Sequence, residues 1–476
     1  MTTIRSAALL LILAAATLPA QDRFIYDKLL RPPGAAFYQT PIGLCEDYPE
    51  ETTTLEIIRK DMELLKRSGI NLLRISFGWD AIEAQKDEYD WLFWDDYVRI
   101  AAEEYGITLI PYICYTPMWN STGDTTNFWN HTPKDYEEFG QFVYDLVMRY
   151  KKWIKSWELW NEPDIHWYWS GDSKDLARLT KIGSQAVRKA DPDALVVLAG
   201  LAHDVNFTKS LFRDHGISPY VNVVNIHNYY ETWSGTPNEN VTDYVNAVAD
   251  VVQMYGDDQS IWMAEVGYST FRMNGRISES YTALHDYEHT PRYQAVHLVR
   301  TLTMLLSTEK LAAIAWYEIK DLTSHEDVIG DDNNRHLGVA TLHHEAKPAE
   351  HALAFSNRLF SKKIRSIDAQ TVVTKRAGGD AVIHAFEQED GNVIVVGWLR
   401  TFVRGTRTNG MTGSMKDTRS EVVDVRLPAK LRGTVAAFDD QGSRTAAPKV
   451  ERSARETTIR GWTLRGGEVS IITLSK

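Results

Sequence analysis

The sequence predicts a (β/α)8 TIM barrel, an α/β fold, followed by an all-β sandwich. Two observations predict it. Between residues 41 and 360, short apolar runs alternate eight times with amphipathic segments of helical period. After residue 360 the helical period stops, and short alternating runs separated by turn signals take over.

Residues 1–20 read as an export signal. Arg5 supplies the positive charge, residues 7–16 the apolar core, and Ala20 the small residue before Gln21. The core is too short to span a bilayer, so a secreted or periplasmic protein with no membrane span after signal removal is expected. Residues 21–40 are expected to add a strand to the β domain. The barrel strands fall at 42–45, 71–77, 108–115, 157–162, 195–200, 221–227, 261–266 and 312–317. They are nearly continuous apolar runs, as parallel strands covered on both faces are. The helices fall at 55–68, 91–105, 134–151, 174–190, 209–215, 241–255, 292–307 and 346–359. In the first of them Leu55, Ile58, Met62 and Leu65 share one face. In the β domain, 361–476, strands at 381–386 and 392–399 flank the turn Glu389-Asp390-Gly391-Asn392. Further strands fall at 421–427, 434–438, 457–464 and 468–474.

A net charge of −12 over 476 residues argues against nucleic acid and against an anionic membrane surface as partners. Fifteen Trp and 22 Tyr are many, and flat amphipathic rings suit the apolar faces of sugars, although most are expected in the core. Cys45 and Cys114 both lie in predicted strands; two buried thiols are the simpler reading, with a bridge left open. His343-His344-Glu345 lacks the second His that a metalloprotease helix needs, so no metal or organic cofactor is expected.

In such barrels the active site lies at the C-terminal strand ends. Polar residues collect there: Arg74 in strand two, Asn161 and Glu162 ending strand four, His227 and Tyr229 ending strand six, Glu265 ending strand seven. Trp316 ends strand eight. Glu162 and Glu265 are 103 residues apart, at strand ends facing each other across the barrel. A pair of carboxyls fits glycosidic-bond hydrolysis, one protonating the leaving oxygen and the other attacking the anomeric carbon or activating water. Glu162, beside Trp160 and Pro163, is the expected proton donor, because burial near apolar groups raises a carboxyl pKa. Glu265 has to stay ionised, and Arg74 and Tyr229 can supply the charge and the hydrogen bond. Asn161 can donate to the sugar 2-OH. Trp79 and Trp119, with Trp167, Trp169 and Trp233, lie in or near loops at the same end, where a ring either stacks on sugar or fills the loop core. Glu158 shares strand parity with Glu162 and is a rival partner for Arg74. Glu318, a third carboxylate, is expected to be a loop or substrate contact.

Three pieces carry a resemblance: Trp160-Asn161-Glu162-Pro163, Ala264-Glu265-Val266-Gly267, and the run from Arg74 through Trp79-Asp80 to Tyr89-Asp90-Trp91. On them the chain resembles the retaining (β/α)8 glycoside hydrolases of the Asn-Glu-Pro clan, most closely family 39 and next family 5. The appended β domain resembles family 39 more. Strand three ends in Cys114-Tyr115-Thr116-Pro117-Met118-Trp119, without the His usual there in family 5. The resemblance implies that Glu162 is the acid/base, Glu265 the nucleophile and Asn161 the 2-OH ligand. It implies that Arg74 and Tyr229 orient Glu265, that His227 supports the acid/base side, and that Trp316 floors the sugar subsite. Together these point to an exported retaining β-glycosidase of β-xylosidase type acting on an oligosaccharide or polysaccharide. The rivals are a family 5-like endo-glycanase on glucan or mannan, and an inert carbohydrate-binding protein on a hydrolase scaffold.

Overall fold

A computed structural model describes residues 24–32, 34–46, 53–230, 236–271, 289–323, 332–375, 379–401 and 417–476. Residues 1–20, expected to be an export signal, and Trp233 lie outside the described residues. Eight parallel strands close a barrel in chain order. They are β1 (Ile42–Glu46), β2 (Leu72–Gly78), β3 (Thr108–Cys114), β4 (Ser156–Asn161), β5 (Leu195–Leu201), β6 (Val223–Asn228), β7 (Ser260–Gly267) and β8 (Leu311–Tyr317). β1 pairs with both β2 and β8, which closes the ring.

The main helices are α1 (Leu55–Arg67), α2 (Leu92–Val98), α3 (Tyr136–Tyr150), α4 (Ser173–Ala190), α5 (Val205–Arg213), α6 (Val241–Tyr255), α7 (Pro291–Ser307) and α8 (Pro348–Leu359). Their starts are set by side-chain caps: Thr54, Asp135, Asp172, Asp204 and Thr290 each accept a backbone N–H of the first turn. Asp204 explains why α5 begins earlier than the expected 209. The segment expected as one helix over 91–105 changes winding after Val98 and finishes as a π-helix, Arg99–Glu104.

The barrel floor is closed by the N-terminal segment. Ile25 and Leu29 pack with Leu72, Ile110, Val197, Val223, Trp262, Ala313 and Ala315 inside the strands. The Tyr26 hydroxyl donates to the Leu109 carbonyl (2.6 Å), and Trp262 Nε1 donates to the Leu29 carbonyl (2.7 Å). This segment meets the β domain at an antiparallel bridge, Tyr38 with Ile364, beside which Gln39 Nε2 donates to the Ser361 carbonyl (2.6 Å).

The C-terminal region holds two antiparallel sheets. The six-stranded sheet comprises β9 (Ile364–Ser366), β11 (Ala381–Gln388), β12 (Val393–Leu399), β14 (Val435–Phe438), β15 (Arg444–Thr445) and β18 (Val469–Leu474). The four-stranded sheet comprises β10 (Val372–Lys375), β13 (Ser420–Leu427), β16 (Lys449–Arg452) and β17 (Thr457–Arg465). One face of the six-stranded sheet packs Val393, Val395 and Ile472 against Val423, Val425 and Ile459 of the other sheet. Its opposite face packs Phe386, Ile394, Val396, Trp398 and Ile471 into the barrel's own core. Apolar cover on both faces explains why β12 is buried along its whole length. Glu239 of the barrel accepts from Trp398 Nε1 (3.2 Å) and Thr401 N (3.0 Å) across this seam. Cys45 and Cys114 are two buried thiols, not a disulfide. Among the described residues no helix is long and apolar enough to cross a membrane.

Candidate active site

Strict alternation along β7 would turn Glu265 away from the barrel, because Trp262 and Ala264 belong to the interior cluster. The strand carries one extra residue instead. Asn225 and His227 of β6 pair with Trp262 and Glu265, and Ile314 and Trp316 of β8 pair with Met263 and Val266. Between these pairs one residue of each neighbour, Ile226 or Ala315, opposes two of β7, and this bulge swings Glu265 into the mouth. On β4, Trp160 has φ 92° and Glu162 φ 44°. These are left-handed values that a non-glycine residue adopts only under tertiary constraint. The kink sends the Trp160 ring outward onto Tyr115 and Trp169 (centroids 5.4 and 4.8 Å), while Glu158, Asn161 and Glu162 all reach the barrel mouth. Glu162 N donates to the Gly200 carbonyl (2.9 Å), which holds the kink against β5.

Arg74 is fully buried and organises the site. Its Nε and Nη2 form a bidentate pair with Glu158 (2.9 and 2.8 Å), its Nη2 also reaches Asn161 Oδ1 (2.7 Å), and its Nη1 reaches Glu265 Oε2 (2.9 Å). The Tyr229 hydroxyl donates to the other oxygen, Glu265 Oε1 (2.6 Å). His227 Nδ1 lies 3.0 Å from Glu162 Oε1 and 3.3 Å from Glu265 Oε2. Glu162 and Glu265 are 7% and 6% exposed, and their carboxylates approach within 4.8 Å of each other.

Burial works against the Arg74 charge, yet Glu158 first and Glu265 among the others outweigh it and hold its pKa well above the ordinary value. Burial, then the Glu265 charge, raises the Tyr229 phenol, so it is a hydrogen-bond donor throughout the working pH range. Burial, then Arg74, pushes His227 well below the usual imidazole value and keeps it neutral. Glu162, His227 and Glu265 are close enough to share a metal ion. However, Arg74 Nη1 already holds the Glu265 oxygen nearest His227. A second cation there would face a fixed positive charge at short range.

The structure therefore brings Glu162, Glu265, Asn161, Arg74, His227 and Tyr229 together. It does not bring Trp316. Ala313 and Ala315 point into the barrel, so Trp316 points out, fully buried, toward His297 of α7 (centroids 6.5 Å). The ring that reaches the mouth from β8 is Tyr317, packed with Cys45, Leu337 and Tyr229. Trp79 is loop core: it is fully buried against Phe139 and Phe142, and its Nε1 donates to Glu83 (2.7 Å). Trp119 is half-buried, edge-on to Trp79, with its Nε1 on the Glu83 carbonyl (2.8 Å). Trp169 is buried, whereas Trp167 is exposed. Sequence reasoning missed Asn225 and Gly200. Asn225 carried a usable signal, since it lies two residues before His227 on the same strand and hence on the same face.

The sequence profile described as "Glycosyl hydrolases family 39" matches residues 30–399. The chain belongs to glycosyl hydrolase family 39. The match spans the whole barrel and runs to the end of β12, so this family 39 chain is a glycoside hydrolase with a carbohydrate substrate. Solved structures share its fold. A family 39 glycoside hydrolase from the gut symbiont Bacteroides cellulosilyticus WH2 is 16% identical, with 92% of this chain and 81% of that one covered at a TM-score of 0.64. A monomeric beta-xylosidase from Caulobacter crescentus CB15 is 16% identical, over 92% and 96%, at 0.57. A GH30 endoxylanase from Clostridium papyrosolvens C71 is 12% identical, over 93% and 98%, at 0.59. No curated protein matches the chain.

Proposed function

We propose that this family 39 enzyme is a retaining β-glycosidase of β-xylosidase type, with Glu162 as acid/base and Glu265 as nucleophile. The observation that carries the reading is the approach of the two carboxylates to within 4.8 Å. A gap of about 5–5.5 Å suits direct attack on the anomeric carbon, whereas inverting enzymes leave about 6.5–9.5 Å for a water. Glu162 protonates the leaving oxygen as Glu265 attacks, and a glycosyl-enzyme forms. Glu162 then takes a proton from the water that releases the sugar.

The surroundings favour this division. Glu265 meets a guanidinium and a phenol O–H, both of which favour its ionised form. Asn161 gives its oxygen to Arg74, which leaves its NH2 as the donor for the 2-OH. Tyr317 takes the subsite role expected of Trp316. Xylose is suggested by the fold-level neighbour named a beta-xylosidase. Residues 1–20 support the further proposal that the enzyme acts outside the cytoplasm.

The test is a screen of aryl β-xyloside, glucoside, galactoside and mannoside, followed by Glu265→Ala on the preferred substrate. Turnover is expected to vanish and to return in part with azide, giving the glycosyl azide of inverted configuration. Retained configuration in that product, or unaltered turnover without azide, would overturn the assignment.

A further inference from the structure

Asn225 sits beneath the two carboxylates on β6, fully buried, and its amide has one workable orientation. Its Oδ1 accepts from Ala264 N (3.0 Å), and its Nδ2 donates to Glu158 Oε1 (3.0 Å). Exchanging oxygen and nitrogen would set an N–H against an N–H and an oxygen against a carboxylate. The same Nδ2 lies 3.2 Å from His227 Nε2. The amide's second hydrogen points there, so Nε2 has to be the bare, accepting nitrogen.

We infer that Asn225 is a positioning residue that locks His227 as the neutral Nδ1–H tautomer, whose single proton is shared between Glu162 Oε1 and Glu265 Oε2. The lock fits the wider surroundings. The charged or titratable groups facing the ring are Glu162, Glu265 and Arg74. The Gly200 backbone closes the Nε2 side, where a Cβ would come within 2.0 Å. Burial and Arg74 also disfavour a second proton on the ring.

The consequence for turnover rests on the double-displacement reading. In the free enzyme Glu265 carries the charge, and the His227 N–H sits between it (3.3 Å) and Glu162 Oε1 (3.0 Å). In the glycosyl-enzyme that charge is gone, Glu162 is the carboxylate, and the same N–H turns to Glu162. The proton never leaves nitrogen. Because Glu162 Oε1 faces this donor, the proton that Glu162 passes to the leaving group sits on Oε2.

The experiment is 15N NMR of the whole chain labelled at histidine, with the His227 resonances identified by their loss in His227→Gln. Wild type is expected to show a protonated Nδ1 and a bare Nε2 that do not titrate near neutrality. Asn225→Asp is isosteric but carries at most one hydrogen, which the Glu158 carboxylate takes, so it leaves none for Nε2; it should move the ring proton to Nε2 and lower kcat about 100-fold. Asn225→Ser gives up the Ala264 contact but keeps a hydroxyl donor. It should retain the wild-type tautomer and more activity than Asn225→Asp, the reverse of the order expected if Asn225 only held strands together. A protonated Nε2 in wild type overturns the inference, as does a full-activity Asn225→Asp with an unmoved proton. The wild-type spectrum decides even if a variant fails to fold, and it does so independently of which carboxylate is the nucleophile.

Discussion

A Cβ placed on Gly200 would lie 2.0 Å from Nε2 of His227. The β5 backbone and the imidazole are in direct contact, with no room between them for a methyl group. Gly200→Ala should therefore displace His227 from both carboxylates without disturbing the barrel. A displacement of about 1 Å at such a site costs about 100-fold in kcat. The check is kcat on the preferred aryl glycoside alongside circular dichroism. Gly379→Ala, where a Cβ meets nothing within 4 Å, is the silent control. Equal kcat in the two variants would show that the contact has no catalytic consequence.

The Tyr229 hydroxyl, 2.6 Å from Glu265, is a preorganised donor to one oxygen of the proposed nucleophile. Tyr229→Phe should lower kcat by about 100-fold, the usual effect of removing one such donor. It should also move the acid limb of the kcat/KM profile to higher pH, because ionised Glu265 loses a partner that its protonated form needs less. An unmoved acid limb would mean that this limb reports some other group.

Arg74 lies buried among Glu158, Asn161 and Glu265. Arg74→Met leaves two buried carboxylates without their cation and should cost about 3–5 kcal/mol in urea unfolding. Adding Glu158→Met removes one stranded charge, so the double variant should be more stable than Arg74→Met alone. Simple additivity of the two single effects would refute the pairing as an energetic unit.

Burial, with Arg74 for His227 and with Arg300 and His289 for His297, pushes both imidazoles well below 6.5. As pH falls through 6.5 the unfolded chain takes up both protons and the folded chain does not. Stability is therefore fully present above that pH and declines below it, by at most about 1.4 kcal/mol per pH unit for each histidine. Urea midpoints between about pH 7.5 and about pH 5.5 measure the slope, and replacing His297 by Gln should remove its share. A midpoint that rises on acidification would reverse the sign and the argument.

The barrel and the sandwich were legible because their signals are local. Alternating apolar runs with strand and helix periods record which faces are covered, and caps such as Asp172 mark where helices start. The β strands at 364–366 and 372–375 escaped notice because four residues or fewer carry too little periodicity. The six polar residues that meet at the mouth were also legible, because Arg74 lies within β2, the other five lie at or just past the ends of β4, β6 and β7, and a closed parallel barrel gathers those strands around one mouth.

What the amino-acid order determined alone was the list of barrel strands, the two carboxylates and most of their partners. What the folded chain decided was direction. An extra residue in β7 points Glu265 inward, a left-handed Trp160 lets Asn161 and Glu162 both reach the mouth, and alternation from Ala313 onward in β8 turns Trp316 out and Tyr317 in. A strand's period of two makes every side chain's facing depend on a single residue of register. That register is set by neighbouring strands far away in the chain.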